Sequence, residues 1–582
     1  MRTLGHWIVV LLAIIGGITG LAIAAGTYAI LSAEPEQVTL AENSHLVLDL
    51  DRGVADTATD DPFAALTGEQ PYNLSQTVLA LHQAANDPKI TGLVAHMGSV
   101  SFQPATAQEL MGAIAAFRHA GKPAMVFSES LDGGLTAVAV ASSFSDIWLQ
   151  PSGMFSLQGL AIEAPFLKAA LSEYGIEADI IQRHEYKGAL EFLSRDGMSA
   201  PVRQNMGLLL DDISDVLTRA IADNRTVSKI AVNRRMETGP LLAAEARAAN
   251  LVDHLAYRDD FSKAVKSRFT GQAVTLGTYL EAREQDSSAP RIALVQASGQ
   301  IIPGAKNSSP FADNNLIMAR STAKAIQDAA KAGVGAIILR INSPGGDYAA
   351  SDTIRQAIVA ANAQNIPVIV SMEDYAASGG YFIASAADTI IAQPTTITGS
   401  IGVIAGKVNL QKAWDKLGIS WETLKTGETA GMWSMNKGFT QTERDRMNKI
   451  IDAAYMDFTA KVAEGRKLDM DAVDMVARGR VFSGERAKSK QLVDDLGGII
   501  TAVAHAKRVA GVPAENDIQL VQFPEVRPFH ENLIAWMQGN GDNPFVTSQL
   551  RSALPEPVST LYQWSLIRLE NGAALMPPMR IQ

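Results

Sequence analysis

The chain contains two diverged copies of one unit, and this duplication limits its possible folds more than any other feature. ASSFSDIWLQP (Ala141–Pro151) aligns with ASAADTIIAQP (Ala384–Pro394) at an offset of 243 residues. EYGIEADIIQ around Gly175 aligns with DKLGISWETLK around Gly418 at the same offset, and ARAANLVDHL aligns with AKSKQLVDDL, around Leu251 and Leu492, at 241. A period this long means a repeated domain-sized unit rather than a solenoid of short repeats. Copy one runs from about His45 to Phe269 and copy two from about Arg291 to Gly511, joined by the polar EQDSSAPR, Glu284–Arg291. The chain therefore divides into an N-terminal apolar segment (1–36), a first repeat (37–283), a second repeat (284–515) and a C-terminal extension (516–582). Pro524, Pro528, Pro544, Pro555 and Pro557 interrupt that extension, which is expected to be irregular.

Within copy two, short apolar runs alternate with helical patterns. IALVQ (292–296), AIILRI (336–341) and PVIVSM (367–372) read as strands, and STAKAIQDAAKAG (321–333) and SDTIRQAIVAANAQ (351–364) as helices. This alternation predicts βαβ units and a parallel sheet in each copy, an α/β fold. Hydrophobic residues at 47% against 19% charged residues supply a sizeable core. The charge balance, 50 basic against 61 acidic residues, argues against a nucleic-acid partner. The absence of cysteine excludes disulfides, thiolate metal sites and a cysteine nucleophile.

Residues Trp7 to Leu31 form an uncharged run of 25 residues. A spanning helix needs roughly 20 residues, whereas the apolar core of a signal peptide is only about 7–15. A transmembrane anchor is expected, with cleavage near Ala24 or Ala33 as the rival reading. Arg2 precedes the run and Glu34, Glu36 and Glu42 follow it, which places the N-terminus in the cytoplasm and the body outside it.

Three glycine- and serine-bearing turns follow strand ends in copy two. They are Ile341-Asn342-Ser343-Pro344-Gly345-Gly346, Ala376-Ala377-Ser378-Gly379-Gly380-Tyr381 and Thr398-Gly399-Ser400-Ile401-Gly402. Ligands of parallel α/β folds sit at the carboxyl ends of strands. A glycine pair there lets backbone N–H groups face an anion or an oxyanion. A serine between small residues at a helix start exposes its hydroxyl. Each turn alone is a weak signal, but three at ordered spacings in one unit are a strong one.

These turns resemble the signal peptide peptidase A family, also called protease IV, in its duplicated, membrane-anchored form. The likeness covers residues 7 to about 511. It implies two tandem Clp-protease/crotonase-like repeats and a serine endopeptidase with a Ser–Lys dyad, acting on released signal peptides and other short hydrophobic peptides. By motif the nucleophile is Ser378. The family's lysine stands in a Y-K-x-A…M-S element, matched by Tyr186-Lys187-Gly188-Ala189 and Met198-Ser199. Lys187 is thus the implied general base, supplied by copy one, and Ser400 the residue that orients it. Where the family commonly shows E-P, this chain reads Glu191-Phe192. The resemblance also implies a homo-oligomer, a tetramer, at a bacterial inner membrane with its catalytic body on the periplasmic side. It implies no metal and no cofactor.

The residues themselves set conditions on that reading. A serine hydroxyl attacks only if a base takes its proton. Copy two has no histidine between His254 and His505, so a base of its own would be His505; His184, three residues before Lys187, is another rival. Lysine serves if it is neutral. Lowering its pKa from about 10.4 to roughly 7–8 takes about 3–4 kcal/mol of desolvation. A nearby carboxylate would oppose the shift, so Glu185 should point away. Backbone N–H groups of Gly379 and of Gly345 or Gly346 are the expected oxyanion donors. At the repeat offset Gly345 and Gly346 fall on Phe102 and Gln103, Ser378 on Leu135 or Thr136, and Lys187 on Ala430. Each copy lacks what the other supplies. Two other functions share the fold, a crotonase-like acyl-CoA enzyme and a non-catalytic membrane scaffold, and neither requires Lys187.

Overall fold

A computed structural model of the chain describes residues 39–56, 70–283, 288–305, 316–524, 573–575 and 580–581. The apolar run at 7–31 lies outside the described residues, and among the described residues no helix is long and apolar enough to cross a membrane.

Each copy is a parallel sheet flanked by helices, as the alternation predicts. In copy one the strand order is Ala273–Thr275, Ser44–Asp49, Ile90–His96, Ala124–Ser128, Asp146–Leu149, His254–Leu255, all parallel. In copy two it is Val481–Ser483, Ile397–Gly399, Val368–Ala377, Ile337–Ser343, Arg291–Ser298, Gln519–Phe523. Only the pairing of Ile397–Gly399 with Val481–Ser483 in that order is antiparallel. Val368–Ala377 is the spine of copy two, with all but one of its residues buried. Its first half pairs with Thr389–Ala392 and its last three residues with Ile397–Gly399, so the sheet forks where the spine ends. The extension is not irregular throughout. Gln519–Phe523 pairs in parallel with Arg291–Val295 and closes the far edge of the copy-two sheet.

The two copies are joined by more than the connecting chain. Glu177–Arg183 of copy one and Val403–Asn409 of copy two form an antiparallel ribbon, from Arg183 opposite Val403 to Glu177 opposite Asn409. Ile181, Val403 and Ala405 of the ribbon pack on Met432, Met447 and Ile451. A second tie is polar and buried. Arg340, 1% exposed in the strand Ile337–Ser343, places Nε 3.0 Å from Asp56 and Nη1 2.9 Å from Ser371 Oγ. Its Nη2 lies 2.6 Å from Glu109 Oε1 but off the hydrogen-bonding direction, so that contact is ionic only. Asp56 and Glu109 come from copy one, and Glu373, 3.8 Å away, from copy two. Capping crosses the interface both ways. Asp374 accepts from the Ala105 and Thr106 N–H groups at the start of the copy-one helix Pro104–His119. Glu109 accepts from the Ile499 N–H at the start of the copy-two helix Ile499–Val509.

One guanidinium thus faces several buried carboxyl groups. Burial raises the Glu109 carboxyl, against the pull of Arg340, and pushes Glu373 well up, with Asp56 adding to the rise. Removing the cation would leave these acids unpaired in a dry interface. We therefore expect Arg340→Met to cost about 3–5 kcal/mol of stability, the usual loss when one partner of a buried ion pair is deleted. Denaturant unfolding of the two proteins measures it, and a change of less than about 1 kcal/mol would contradict this account of the interface.

Candidate active site

Ser378 directly follows the spine strand and caps the helix Gly379–Ala384. Its φ of 57° and ψ of −117° are unusual for a residue with a side chain. Such strain persists only where the surroundings fix it. Here its N–H donates to the Gly399 carbonyl at 2.8 Å and its carbonyl accepts from the Phe382 N–H at 2.8 Å. The backbone therefore turns sharply from strand to helix and projects Oγ from the elbow.

The ribbon brings the lysine to this elbow. Lys187 lies four residues beyond Arg183, and Ser400 three residues before Val403. Since Arg183 pairs with Val403, the chain leaving one strand meets the chain entering the other. Lys187 Nζ stands 2.6 Å from Ser378 Oγ, 2.8 Å from the Ser400 carbonyl and 3.0 Å from Ser400 Oγ. Ser378 is 0% exposed and Lys187 1%. Burial pushes the amine well below the ordinary lysine range. A neutral amine has two N–H donors and one lone pair. If the donors go to the two Ser400 oxygens, the lone pair is left for the Ser378 hydroxyl proton.

A segment of copy two that the sequence reading overlooked wraps the lysine loop. Tyr186 N–H donates to the Arg478 carbonyl at 3.2 Å, and Ser400 N–H donates to the Arg480 carbonyl at 2.6 Å. The Arg480 guanidinium lies 4.2 Å from the centre of the Tyr186 ring. Between the two arginines, Gly479 has φ +84°, and a Cβ there would meet the Lys187 nitrogen at 2.4 Å. Glu185 turns outward to Arg478, with Nε 3.1 Å from Oε1 and Nη2 3.1 Å from Oε2. An Arg-Gly-Arg triplet after a helical pattern was the only sequence signal for this segment, and nothing local connects it to Lys187.

The glycine turn settles beside the elbow. Gly345–Asp347 is a short strand, in which Gly346 pairs with Ile301 on one side. On its other side Gly345–Asp347 pairs antiparallel with Ala573–Leu575, near the chain's C-terminus. The Gly345 N–H is already engaged, donating to Ser343 Oγ at 3.1 Å. The Gly346 nitrogen instead lies 3.2 Å from where a Cβ on Gly379 would stand, so these two backbones face each other.

The rival bases lie elsewhere. His505 pairs with Asp495 at 3.1 Å, and the His184 ring packs on Tyr455 with centroids 4.7 Å apart. One equivalence also needs correction. Leu135 and Thr136 are buried inside the helix Gly134–Ser142; the strand register (Met125 opposite Asp146, Ile369 opposite Thr389) and a shared positive φ make Gly134 the copy-one counterpart of Ser378. The strand leading to the elbow is offset by 244 residues (Met125 to Ile369) and the next strand by 243 (Asp146 to Thr389), so a single offset misplaces the turn. Gln103 caps Pro104–His119 as Asp347 caps Tyr348–Ala363, which sets Phe102 opposite Gly346.

A serine hydroxyl at a strained strand–helix elbow, against a buried amine, is the arrangement of a serine hydrolase. The profile of peptidase family S49 matches residues 116–270 and 360–513, one region in each copy, and the chain belongs to this family of serine endopeptidases. "Protease 4" of Haemophilus influenzae is 32% identical over 518 residues, 84% of this chain and 82% of the relative. "Protease 4" of Salmonella typhi is 31% identical over 458 residues, 76% of this chain and 72% of the relative. "Serine protease SPPA, chloroplastic" of Arabidopsis thaliana is 29% identical over 456 residues, 76% and 66%.

The Gly346 site gives a direct test. A Cβ there would lie 2.0 Å from the Ile301 carbonyl oxygen, so the strand beside the elbow must shift. Gly346→Val is expected to lower peptidase activity at least about 100-fold, the scale of losing one oxyanion donor, with the circular dichroism spectrum unchanged. Activity within a few-fold of wild type would rule out a role for this strand in the reaction.

Proposed function

We propose that the enzyme cleaves peptide bonds by a Ser378–Lys187 dyad, with Ser400 orienting the amine. The observation that carries this reading is the 2.6 Å approach of Nζ to Oγ inside a buried site. Ser378 Oγ attacks the substrate carbonyl carbon as its proton passes to the Lys187 lone pair. The resulting ammonium keeps both Ser400 oxygens as acceptors. The tetrahedral oxyanion lies against the N–H groups of Gly346 and Gly379, since the Gly345 N–H is already used. On collapse the C–N bond breaks and the ammonium returns its proton to the leaving amine. Water then attacks the acyl-serine with Lys187 again as base, releasing the acid and restoring the serine.

An extended peptide would pair with Gly345–Asp347 by strand addition in the place that the chain's own Ala573–Leu575 takes there. The signal peptides and short hydrophobic peptides implied by the family motifs are the proposed substrates. The proposed setting is the periplasmic face of a bacterial inner membrane, with the run at 7–31 as anchor, a Clp-protease/crotonase-like fold in each copy and a homo-tetrameric assembly. An acyl-CoA enzyme or a scaffold would have no use for an amine on the serine.

The pH dependence tests the base. Only the neutral amine accepts a proton, and burial depresses its pKa, so kcat/KM should rise with pH through that depressed value. Lys187→Ala is expected to lose about 10²–10⁴-fold, the range for a positioned general base, and Ser400→Ala about 10–1000-fold. Lys187→Arg should be equally inactive, because guanidinium stays protonated. A profile flat from about pH 6 to 9, with chemistry rate-limiting, or a Lys187→Ala variant within a few-fold of wild type, would overturn the assignment.

A further inference from the structure

The lysine base has an acid, Glu185, two residues away in its own loop. A carboxylate within several ångströms stabilises the ammonium and raises its pKa. What stands in the way is Arg478, which reaches from copy two and takes both Glu185 oxygens. Arg478 is itself firmly held. Its φ is +63°, its N–H donates to Tyr455 Oη at 3.3 Å and its carbonyl accepts from Tyr186. Two residues on, the Arg480 carbonyl holds Ser400, the other partner of the amine.

From this geometry we propose that Arg478 is a positioning residue for the dyad: it holds Glu185 away from Lys187 and, through Gly479 and Arg480, fastens the lysine loop to the Ser400 loop. The inference rests on the dyad reading above and deepens it.

The other charged or titratable groups around the loop are accounted for. Glu191, behind Gly188, accepts from the Ser199 N–H at 2.9 Å. Asp474 lies on the far side of Arg478, 3.5 Å from Nη1. The His184 ring packs at a tilt on Tyr455, and Arg480 covers Tyr186. Arg183, which leads into the loop, is paired with Asp452 at 2.5 Å. Glu185 is therefore the acid whose direction Arg478 decides.

The test is the rising limb of kcat/KM against pH in the full-length enzyme and three variants, using a fluorogenic peptide. Arg478→Met keeps the aliphatic stem but frees Glu185, so the limb should move alkaline by about 0.5–1 pH unit, the effect of one charge at this range. Glu185→Gln removes one negative charge beside the loop and leaves Arg478 with only the longer contact to Asp474, so the limb should move the opposite way. In the double variant both charges are gone, and the limb should return to within about 0.2 unit of wild type. A purely structural role for Arg478 would lower the rate without this reversal of sign. Glu185→Gln supplies its arm of the test even if Arg478→Met folds poorly. A wild-type limb unmoved by either single variant, or moved the same way by both, overturns the positioning role and leaves the dyad standing. Absence of a limb in wild type overturns the dyad itself.

Discussion

The antiparallel ribbon between Glu177–Arg183 and Val403–Asn409 is the contact on which the rest of the site depends. Seven register pairs fix it, and a slip of even one residue would reverse the faces of both strands. Because the chain continues directly from the ribbon to Lys187 on one strand and arrives directly from Ser400 on the other, register translates into the spacing of the amine. Neither copy holds Lys187 and Ser378 together. The site exists only where the copies meet, and within one chain.

That meeting place also sets the environment of the Lys187 amine. The lysine is lined by serine oxygens and backbone, and desolvation alone drives its pKa down. The cost of burying an amine must be met elsewhere in the fold. The interface has two resources for it, the apolar cluster under the ribbon and the crossed ion contacts and helix caps around Arg340. Arg340 and Lys187, both buried, differ in chemistry. Arg340 remains charged and is surrounded by acids, whereas Lys187 is kept from acids and left free to lose its proton. Arg suits the first role because guanidinium does not titrate, and Lys suits the second because it does.

The sequence made the fold legible where local pattern decides structure. The strands expected at 292–296, 336–341 and 367–372 appear as Arg291–Ser298, Ile337–Ser343 and Val368–Ala377. The last runs five residues longer than its apolar core because Glu373 and Asp374 stay in the strand. Asp374 finds its partners across the interface, at Ala105 and Thr106, and Glu373 lies beside Arg340 of the neighbouring strand, contacts that no window of sequence contains. The same limitation hid the edge strand Gln519–Phe523 behind its neighbouring prolines. Ser378 was readable from its small-residue turn, but Lys187 was not readable from physics. Its neighbours QRHEYK are polar, and a surface lysine was the plain reading without the family motif. Arg478, Gly479 and Arg480 were missed for a related reason: their partners lie nearly 300 residues earlier, on the other copy. The choice between Gly345 and Gly346 turned on a single hydrogen bond to Ser343, which only coordinates reveal.

The central claim is that a lysine from copy one activates a serine in copy two of the same chain. Covalent labelling by a peptidyl phosphonate, followed over time and mapped by mass spectrometry, tests it most directly. The account predicts one adduct, on Ser378, forming at least about 100-fold more slowly in the Lys187→Ala enzyme, in line with the loss of a general base. An adduct on another residue, or on Ser378 at an undiminished rate without Lys187, would contradict it.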